Sequence, residues 1–222
     1  MMAAVVSLSG GLDSATVLAR CLEVRKKLVI PVFFRYDSKH NEHEFLAAGR
    51  VANHFSRTLR VIDLRSFSSH LHSNLMKNGG EIPEGHYMDI TMDQTVVPSR
   101  NIIFASILSG YAWGNGGSEV WLGIHAGDHH IYPDCRPEFF ASMNAAICLG
   151  TGNRIELVAP FLRKTKAEIV REGLRLRVPY ELTRTCYKDQ ELACGKCGAC
   201  CERLEAFGIN NQKDPIHYEI QD

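Results

Sequence analysis

The chain has 222 residues, with 25 Lys or Arg and 25 Asp or Glu, so its positive and negative charges balance. This length suits one substantial α/β domain with an appendage. The balanced charge gives no overall positive field of the kind that drives non-specific binding to nucleic acid, so we expect free small molecules as ligands. No stretch approaches the roughly 20 apolar residues of a membrane span, and no secretion signal is evident, which predicts a cytoplasmic protein.

Strand and helix patterns alternate along the chain. The predicted strands cover residues 3–8, 28–34, 58–64, 119–124 and 155–159. The predicted helices follow Ser14, cover residues 40–55, 101–113 and 137–149, and resume near Lys166. This order predicts a doubly wound parallel sheet whose ligands lie beyond the carboxyl ends of the strands. Residues 65–96 are polar and too long for a plain connection, so we expect an insertion that covers the substrate.

The first predicted strand and helix are joined by a glycine loop. Its sequence is Ser9-Gly10-Gly11-Leu12-Asp13-Ser14. In this arrangement free backbone amides and the helix dipole meet an anion. The loop matches neither the Walker pattern nor Gly-x-Gly-x-x-Gly. On local features alone, a tight turn without a ligand remains an alternative.

Eight cysteines are present, and five of them fall between Cys186 and Cys201. A cytosolic chain keeps its thiols reduced, so this clustering favours a metal over disulfides. The spacing C-x7-C-x2-C-x2-C is formed by Cys186, Cys194, Cys197 and Cys200. Four thiolates suit tetrahedral zinc, and a site without an open position would be structural. An iron–sulfur cluster also uses four cysteines and stays open, although zinc is favoured.

The Ser-Gly-Gly-x-Asp-Ser string resembles the signature of the PP-loop ATP pyrophosphatase superfamily, whose fold is similar to that of adenine nucleotide alpha hydrolases. The superfamily cleaves ATP between the α and β phosphates and adenylates a substrate oxygen. The resemblance implies that residues Leu8 to Ser14 bind ATP. The charge of Asp13 would repel pyrophosphate unless Mg²⁺ lies between them, which predicts Asp13 as a catalytic magnesium ligand.

Further strings extend the likeness over nearly the whole chain. They are Val97-Pro98-Ser99-Arg100-Asn101, Tyr132-Pro133-Asp134-Cys135-Arg136 followed by Glu138-Phe139, Lys166-Ala167-Glu168, and the four cysteines. Together with the loop they resemble the 7-cyano-7-deazaguanine synthase family, QueC. The resemblance implies an ATP-dependent ligase that converts 7-carboxy-7-deazaguanine and ammonia to the nitrile preQ0, a queuosine precursor, through an adenylated carboxylate and an adenylated amide. It also implies one structural zinc per chain, Mg²⁺ with ATP, and a homodimer.

The resemblance assigns Lys166 and Arg100 to the charge that develops on the α-phosphate. The alternative for Lys166 is a solvated lysine on a helix surface. Arg100 begins a predicted helix, where a cation is unfavourable unless an anion is present.

The Tyr-Pro-Asp-Cys-Arg string would contact the deazaguanine. The predicted substrate-binding residues are Tyr132, Asp134, Cys135, Arg136 and Phe139. An aspartate carboxylate can accept hydrogen bonds from a guanine-like edge, and an aromatic ring can stack on the base. The alternative for Asp134 is a turn that caps the following helix.

Two departures from the family pattern leave other functions open. The family's Tyr-Gly-Gln-Arg-His is replaced by residues 36–40, Tyr-Asp-Ser-Lys-His. The family's Ser-Gly before the Tyr-Pro-Asp-Cys-Arg string is replaced by His130-Ile131, which places His129 and His130 near the predicted substrate site. The alternatives are a relative that transfers the acyl group to another amine such as a protein, a tRNA-modifying PP-loop enzyme, and an inactive nucleotide sensor. We expect a catalytic domain over residues 1–180 and a zinc-binding segment over residues 181–222.

Overall fold

The computed structural model describes residues 2–25, 28–85, 90–126 and 132–219, with the backbone alone for Ile90 and Thr91. Its centre is a five-stranded sheet. The strands are β1 (Ala3–Ser7), β2 (Val29–Arg35), β3 (Arg60–Asp63), β4 (Gly117–Trp121) and β5 (Glu156–Val158). Their order is β3-β2-β1-β4-β5 and the pairings are parallel. Strands β2 and β3 are added on one side of β1, and β4 and β5 on the other side. The order of the strands therefore reverses beside β1, and open α/β sheets bind ligands at such a switch point.

Seven α-helices are described around this sheet. They are α1 (Leu12–Arg25), α2 (Asn41–His54), α3 (Arg65–Ser68), α4 (Arg100–Gly114), α5 (Pro137–Gly150), α6 (Lys166–Arg175) and α7 (Gly198–Ile209). The predicted doubly wound α/β fold is confirmed, and the long helices begin and end within a few residues of the predicted limits. Among the described helices, none combines the length and the apolar character needed to cross a bilayer.

The inner strands β1, β2 and β4 are largely buried, which explains why they read as apolar runs, whereas the edge strand β3 is mostly exposed. Val5 and Val6 are adjacent in β1 but belong to different core clusters. Val5 packs on the side of α4 and α5, together with Val32 and Val120. Val6 packs on the side of α1, α2 and α6. Because side chains alternate across a strand, the run Ala4-Val5-Val6 supplies apolar residues to both clusters in turn.

The predicted insertion, residues 65–96, packs on two neighbouring regions. The backbone amides of Lys39 and Lys77 donate to Leu75 and Asp37 at 2.8 and 3.0 Å. Farther along, the Gly85 amide donates to the Lys196 carbonyl at 2.9 Å, beside the cysteine segment. The insertion therefore joins the end of β2 to the C-terminal segment. None of the described residues of the insertion lines the cavity that opens beside the glycine loop.

A buried ion pair holds the C-terminal segment. Arg203 on α7 has no exposed surface, and its Nε donates to Asp214 Oδ2 at 2.7 Å. The same guanidinium donates to Thr183 and Thr185 Oγ1 at 2.7 and 2.9 Å, and to the Tyr180 carbonyl at 3.1 Å. These bonds connect residues on both sides of position 181. The boundary between a catalytic domain over residues 1–180 and a zinc-binding segment over residues 181–222 stays a prediction.

Candidate active site

The glycine loop bends sharply between β1 and α1. Gly10 has φ +84°, and a Cβ at this position would lie 2.5 Å from the Ala48 amide nitrogen and 2.6 Å from the Glu44 carbonyl oxygen. Both obstacles are backbone atoms of α2, so a side chain there could not be accommodated without moving the helix. The Arg184 amide donates to the Gly10 carbonyl at 2.9 Å. The loop is thus held by α2 on one side and by the C-terminal segment on the other.

Two serine hydroxyls, one at each end of this loop, lie close together. Ser9 Oγ and Ser14 Oγ are 3.1 Å apart, and the Gly11 amide donates to Ser9 Oγ at 3.2 Å. Ser14 Oγ also donates to the Gly11 carbonyl at 3.1 Å. Hydroxyls and amides at the N-terminus of α1 form the donor arrangement that binds phosphate groups.

Asp13 and Lys166 meet directly beside the loop. Lys166 Nζ donates to Asp13 Oδ2 at 2.7 Å, and His125 Nε2 lies 3.7 Å from the same oxygen. Burial by itself would raise the pKa of Asp13, but the charges of Lys166 and His125 outweigh burial and lower it. Asp13 therefore stays ionised. Its Oδ1 is buried and has no hydrogen-bond partner within the described part of the chain.

Lys166 is not a solvated surface lysine. It begins α6 but is only 8% exposed, and its ammonium also lies 3.2 Å from Glu202 Oε2 on α7. Thr165 and Glu168 close a capping box at the start of this helix. Glu168, in the Lys-x-Glu string, thus fixes the helix end that aims Lys166 at the cavity.

Arg100 lies across the cavity at the start of α4. Its guanidinium carbon is 6.0 Å from the centre of the Tyr132 ring. Burial would lower its pKa, but the nearby Tyr36, Tyr132, Tyr187 and Asp134 raise it well above the ordinary value. Arg100 therefore keeps its positive charge in a cavity that it shares with Asp13 and Lys166.

The structure brings only part of the predicted substrate string into the cavity. Tyr132 and Cys135 line it, and the Tyr132 hydroxyl is 2.8 Å from Thr95 Oγ1. The Asp134 carboxylate instead accepts a hydrogen bond from the backbone amide of Asn101 at 2.9 Å, at the N-terminus of α4. Asp134 therefore ties this string to the helix that carries Arg100.

Arg136 and Phe139 are placed differently from Tyr132. Arg136 is exposed and Phe139 is partly buried, and neither is among the residues that line the cavity. His129 and His130 lie outside the described residues.

Other cavity residues were missed by sequence reasoning. They are Tyr36, His40, Glu44, Phe104, Arg184 and Tyr187. In the sequence, residues 36–40 stand out only as a departure from the family pattern. The signal that could have found them is position, since residues just after β2 lie at the carboxyl edge of the sheet, beside the glycine loop.

The cysteine cluster is assembled as predicted. The four Sγ atoms of Cys186, Cys194, Cys197 and Cys200 lie within 4.8 Å of one another and are buried. The amides of Lys196 and Cys197 point at Cys194 Sγ at 3.4 and 3.3 Å, and the Cys194 amide points at Cys186 Sγ at 3.4 Å. Such bonds stabilise thiolates, which are the forms that bind a metal. Hydrogen bonding with the neighbouring thiols, Cys186 first, lowers the pKa of Cys194.

The cluster is linked to the cavity through α7. This helix begins at Gly198 and carries Cys200, while Glu202 and Arg203 follow on it. Glu202 contacts Lys166, and Arg203 holds Thr183 and Thr185 on either side of Arg184. A metal at the cluster would therefore fix α7, the helix that supports the cavity residues Lys166 and Arg184.

A parallel α/β sheet in which a Ser-Gly-Gly-x-Asp-Ser loop joins β1 to α1 beside the switch point is typical of the PP-loop class of nucleotide-binding folds. The family model described as "Queuosine biosynthesis protein QueC" matches residues 3–211. The chain belongs to the QueC family.

Curated relatives match over nearly their whole length. A protein from Marinomonas sp. named 7-cyano-7-deazaguanine synthase is 43% identical over 216 residues, which are 97% of this chain and 98% of the relative. A protein of the same name from Caldicellulosiruptor bescii is 43% identical over 222 residues, 99% of both chains. Among solved structures, the U34-tRNA thiolase NcsA from Methanococcus maripaludis, described with its 4Fe–4S cluster, has a TM-score of 0.53 at 13% identity, over 95% of this chain and 65% of that one. The last likeness concerns the fold alone.

Proposed function

We propose that this chain is an ATP-dependent 7-cyano-7-deazaguanine synthase, which makes the nitrile from 7-carboxy-7-deazaguanine and ammonia in queuosine biosynthesis. Membership of the QueC family and the names of its curated relatives support this assignment. The observation that carries it at the level of chemistry is the Asp13–Lys166 pair beside the phosphate loop. The pair opens into the same cavity as Tyr132 and Cys135, so one cavity can hold a nucleotide and a base.

The reaction needs ATP because a carboxylate is a poor electrophile. Its oxygen attacks the α-phosphorus, pyrophosphate leaves, and ammonia displaces AMP to give an amide. A second adenylation of the amide oxygen followed by loss of AMP gives the nitrile, so the same loop serves twice. The segment from Leu8 to Ser14 would hold the pyrophosphate, while Lys166 and Arg100 would stabilise the charge on the α-phosphate. Donors of this kind contribute about 10²–10³ in rate each.

Asp13 is the proposed magnesium ligand. Its ionised state and its unpartnered buried Oδ1 fit a hard cation that prefers oxygen ligands. Mg²⁺ bound with ATP would screen this carboxylate from the pyrophosphate.

Zinc is the proposed metal of the four cysteines. A tetrahedral ion with bonds of about 2.3 Å separates its sulfurs by about 3.8 Å, and Cys194 and Cys200 Sγ are 4.0 Å apart. An iron–sulfur cluster places several irons and sulfides between its cysteines and needs more room. The compact arrangement therefore supports one structural zinc per chain, which belongs to the segment we propose over residues 181–222.

The deazaguanine would lie against the Tyr132 and Cys135 side of the cavity. Tyr132 offers an aromatic face and Cys135 a polarizable contact. Asp134, Arg136 and Phe139 remain proposed substrate contacts. To reach the base, the Asp134 carboxylate would have to exchange its bond with the Asn101 amide for one with the substrate.

We propose a homodimer formed through the exposed sides of α4 and α5, two helices that carry few charges. Neither helix has a charged side chain after Arg100 and Glu138 respectively. After Arg100 and Glu138, the exposed residues of these helices are Ile102, Ser106, Gly110, Trp113, Gly114, Ala141, Ser142, Ala145, Ala146, Leu149 and Gly150. The Arg154 guanidinium lies 4.7 Å from the centre of the Trp113 ring at one end. A second copy of the chain would cover these exposed sides. We also propose a cytoplasmic location and no nucleic-acid partner, in line with the balanced charge.

The alternatives differ in product. A relative that transfers the acyl group to another amine would stop after one adenylation, a tRNA-modifying enzyme would need polynucleotide, and an inactive sensor would release no pyrophosphate. The test is pyrophosphate release with ATP, Mg²⁺ and ammonium as the only amine, where the proposal predicts two pyrophosphates per carboxylate consumed and a relative that stops after one adenylation gives at most one. The release should depend on 7-carboxy-7-deazaguanine and be unaffected by tRNA. Release that requires tRNA, or no release with the carboxylate, would contradict the proposal.

A further inference from the structure

Glu44 is a carboxylate in the cavity wall that the adenylation steps do not use. It lies in the first turn of α2, its side chain is 14% exposed, and its Oε2 lies 3.6 Å from His40 Nε2. It lines the same cavity as Asp13, Lys166 and Tyr132. A desolvated carboxylate beside a reaction centre is a candidate for proton transfer.

Local hydrogen bonds fix where Glu44 stands. Asn41 Nδ2 donates to the Phe34 carbonyl at 3.2 Å, and its Oδ1 accepts from the Tyr36 amide at 3.2 Å. These bonds lock the start of α2 to the end of β2. The Glu44 carbonyl in turn abuts Gly10 of the phosphate loop. Glu44 is therefore fixed beside the phosphate loop, in the cavity that Tyr132 also lines.

The proposed reaction needs a proton acceptor at this place. Ammonia is present at neutral pH mainly as ammonium, which has no lone pair and cannot attack an acyl adenylate. It must lose a proton inside the cavity, next to the reacting carbonyl. The nitrogen must lose its remaining protons before it becomes a nitrile, so the need for a base recurs after the second adenylation.

Three acidic or basic groups of the cavity can be compared for this task. The pKa of Asp13 is lowered despite its burial, and Asp13 is bound to Lys166, which makes it a weak base. Burial, followed by the charge of Arg100, lowers the pKa of His40 to about 3. Burial raises the pKa of Glu44 to about 8, although Arg100 and Arg184 oppose the shift. A base is most effective when its pKa is near the working pH, and Glu44 fits best.

We infer that Glu44 is the catalytic base that accepts the proton of ammonium at the acyl adenylate. The inference rests on the proposed function. One N–H proton passes to the Glu44 carboxylate, and the freed lone pair bonds to the carbonyl carbon. The bond between that carbon and the AMP oxygen breaks with its electrons on AMP, and the second proton passes to solvent. In the second half, Glu44 takes one N–H proton of the adenylated amide as AMP leaves, and the other goes to solvent.

The groups that face Glu44 set its behaviour with pH. They are Tyr36 just after β2, His40 just before α2, Asn41 and Arg100 at the starts of α2 and α4, and Arg184 and Tyr187 from the C-terminal segment. His40 is neutral above its pKa of about 3, and Arg100, whose pKa is raised, keeps its charge. Glu44 is thus the group of this set that changes charge near neutral pH.

The test separates adenylation from amine capture. Glu44→Gln is compared with Glu42→Gln, an exposed neighbour on the same helix that pairs with Arg35 at 3.0 Å. The measurements are carboxylate-dependent exchange of labelled pyrophosphate into ATP, and amide plus nitrile formation with ammonium. Glu44→Gln should keep exchange within about threefold of wild type and lose about a hundredfold or more of amide formation. Hydroxylamine, which is uncharged at neutral pH, should still give the hydroxamate in this variant.

The outcomes are distinguishable. Ammonium turnover by Glu44→Gln at the wild-type rate would overturn the inference, and so would a parallel loss of exchange, because Glu44 would then serve the nucleotide. If wild type itself shows no carboxylate-dependent exchange, the proposed function fails instead.

The wild-type pH profile tests the same inference without a variant. At constant ammonium concentration, single-turnover amide formation should rise with pH and level off above the Glu44 pKa of about 8. A rate that keeps rising about tenfold per pH unit through this range would show that free ammonia from solution reacts unaided and would overturn the inference.

Discussion

Lys166 Nζ lies 2.7 Å from Asp13 Oδ2, although 153 positions separate the two residues. Asp13 stands in the first turn of α1 and Lys166 begins α6, so two helix N-termini converge on one point at the carboxyl edge of the sheet. Two helix dipoles and a buried lysine favour an anion there. The proposed cleavage of ATP rests on this convergence.

Removing the Lys166 charge should disable the chemistry. We expect Lys166→Met to lower the rate of pyrophosphate release about 10²–10³-fold, because the α-phosphate charge loses one of the two cations proposed to stabilise it. Arg163→Met is the control, since Arg163 is exposed in the loop before the same helix. Single-turnover release measures both. Equal rates in the two variants would remove Lys166 from the mechanism.

The phosphate loop should not tolerate a side chain at Gly10. Gly10→Ala must push against α2 backbone atoms at 2.5 and 2.6 Å and hold φ +84°, so we expect loss of ATP binding and destabilisation by about 1–3 kcal/mol. Gly49→Ala on α2 meets nothing within 4 Å and should stabilise by about 0.5–1 kcal/mol. Calorimetric ATP titration and urea unfolding measure these effects. ATP binding by Gly10→Ala at wild-type affinity would argue against the tight loop.

The buried Arg203 should matter for both stability and the site. Arg203→Met leaves Asp214 buried without its cation, and we expect a loss of about 3–5 kcal/mol in the free energy of unfolding. Arg175 pairs with Glu23 and Glu172 on the surface, where water screens the charges, so Arg175→Met should change the free energy of unfolding little. Urea unfolding compares them. A cost below 1 kcal/mol for Arg203→Met would show that the network is not needed to hold the segment.

The metal prediction has a control one residue away. Purified protein should contain one zinc per chain, and Cys200→Ser should lose it, whereas Cys201→Ser should keep it because Cys201 lies outside the four-sulfur cluster. Loss of the metal should also weaken ATP binding, since α7 carries Glu202 to Lys166. Elemental analysis together with ATP titration measures this. Iron in place of zinc, or metal retained by Cys200→Ser, would refute the site as described.

The fold and the phosphate loop were predictable because both depend on local patterns. The buried parallel strands produce the apolar runs, and Ser9 to Ser14 is one contiguous string. The four cysteines were found for the same reason.

Contacts between distant segments could not be predicted. Arg184 reaches the cavity through a backbone bond to Gly10, and Glu44 reaches it through the packing of α2 on the loop. Neither position carries a periodic or spaced signal in the sequence. Asp134 shows the same limit, since its bond to the Asn101 amide depends on how α4 meets the residues before α5.

The central claim is that one phosphate loop serves two successive adenylations to make a nitrile. Product analysis tests this claim most directly. Wild-type protein is incubated with ATP, Mg²⁺, ammonium and 7-carboxy-7-deazaguanine, and the products are identified by mass and counted. The account predicts 7-cyano-7-deazaguanine as the end product, with two AMP and two pyrophosphate released for each nitrile. Accumulation of the amide or the acyl adenylate, with one AMP or none per product, would contradict it.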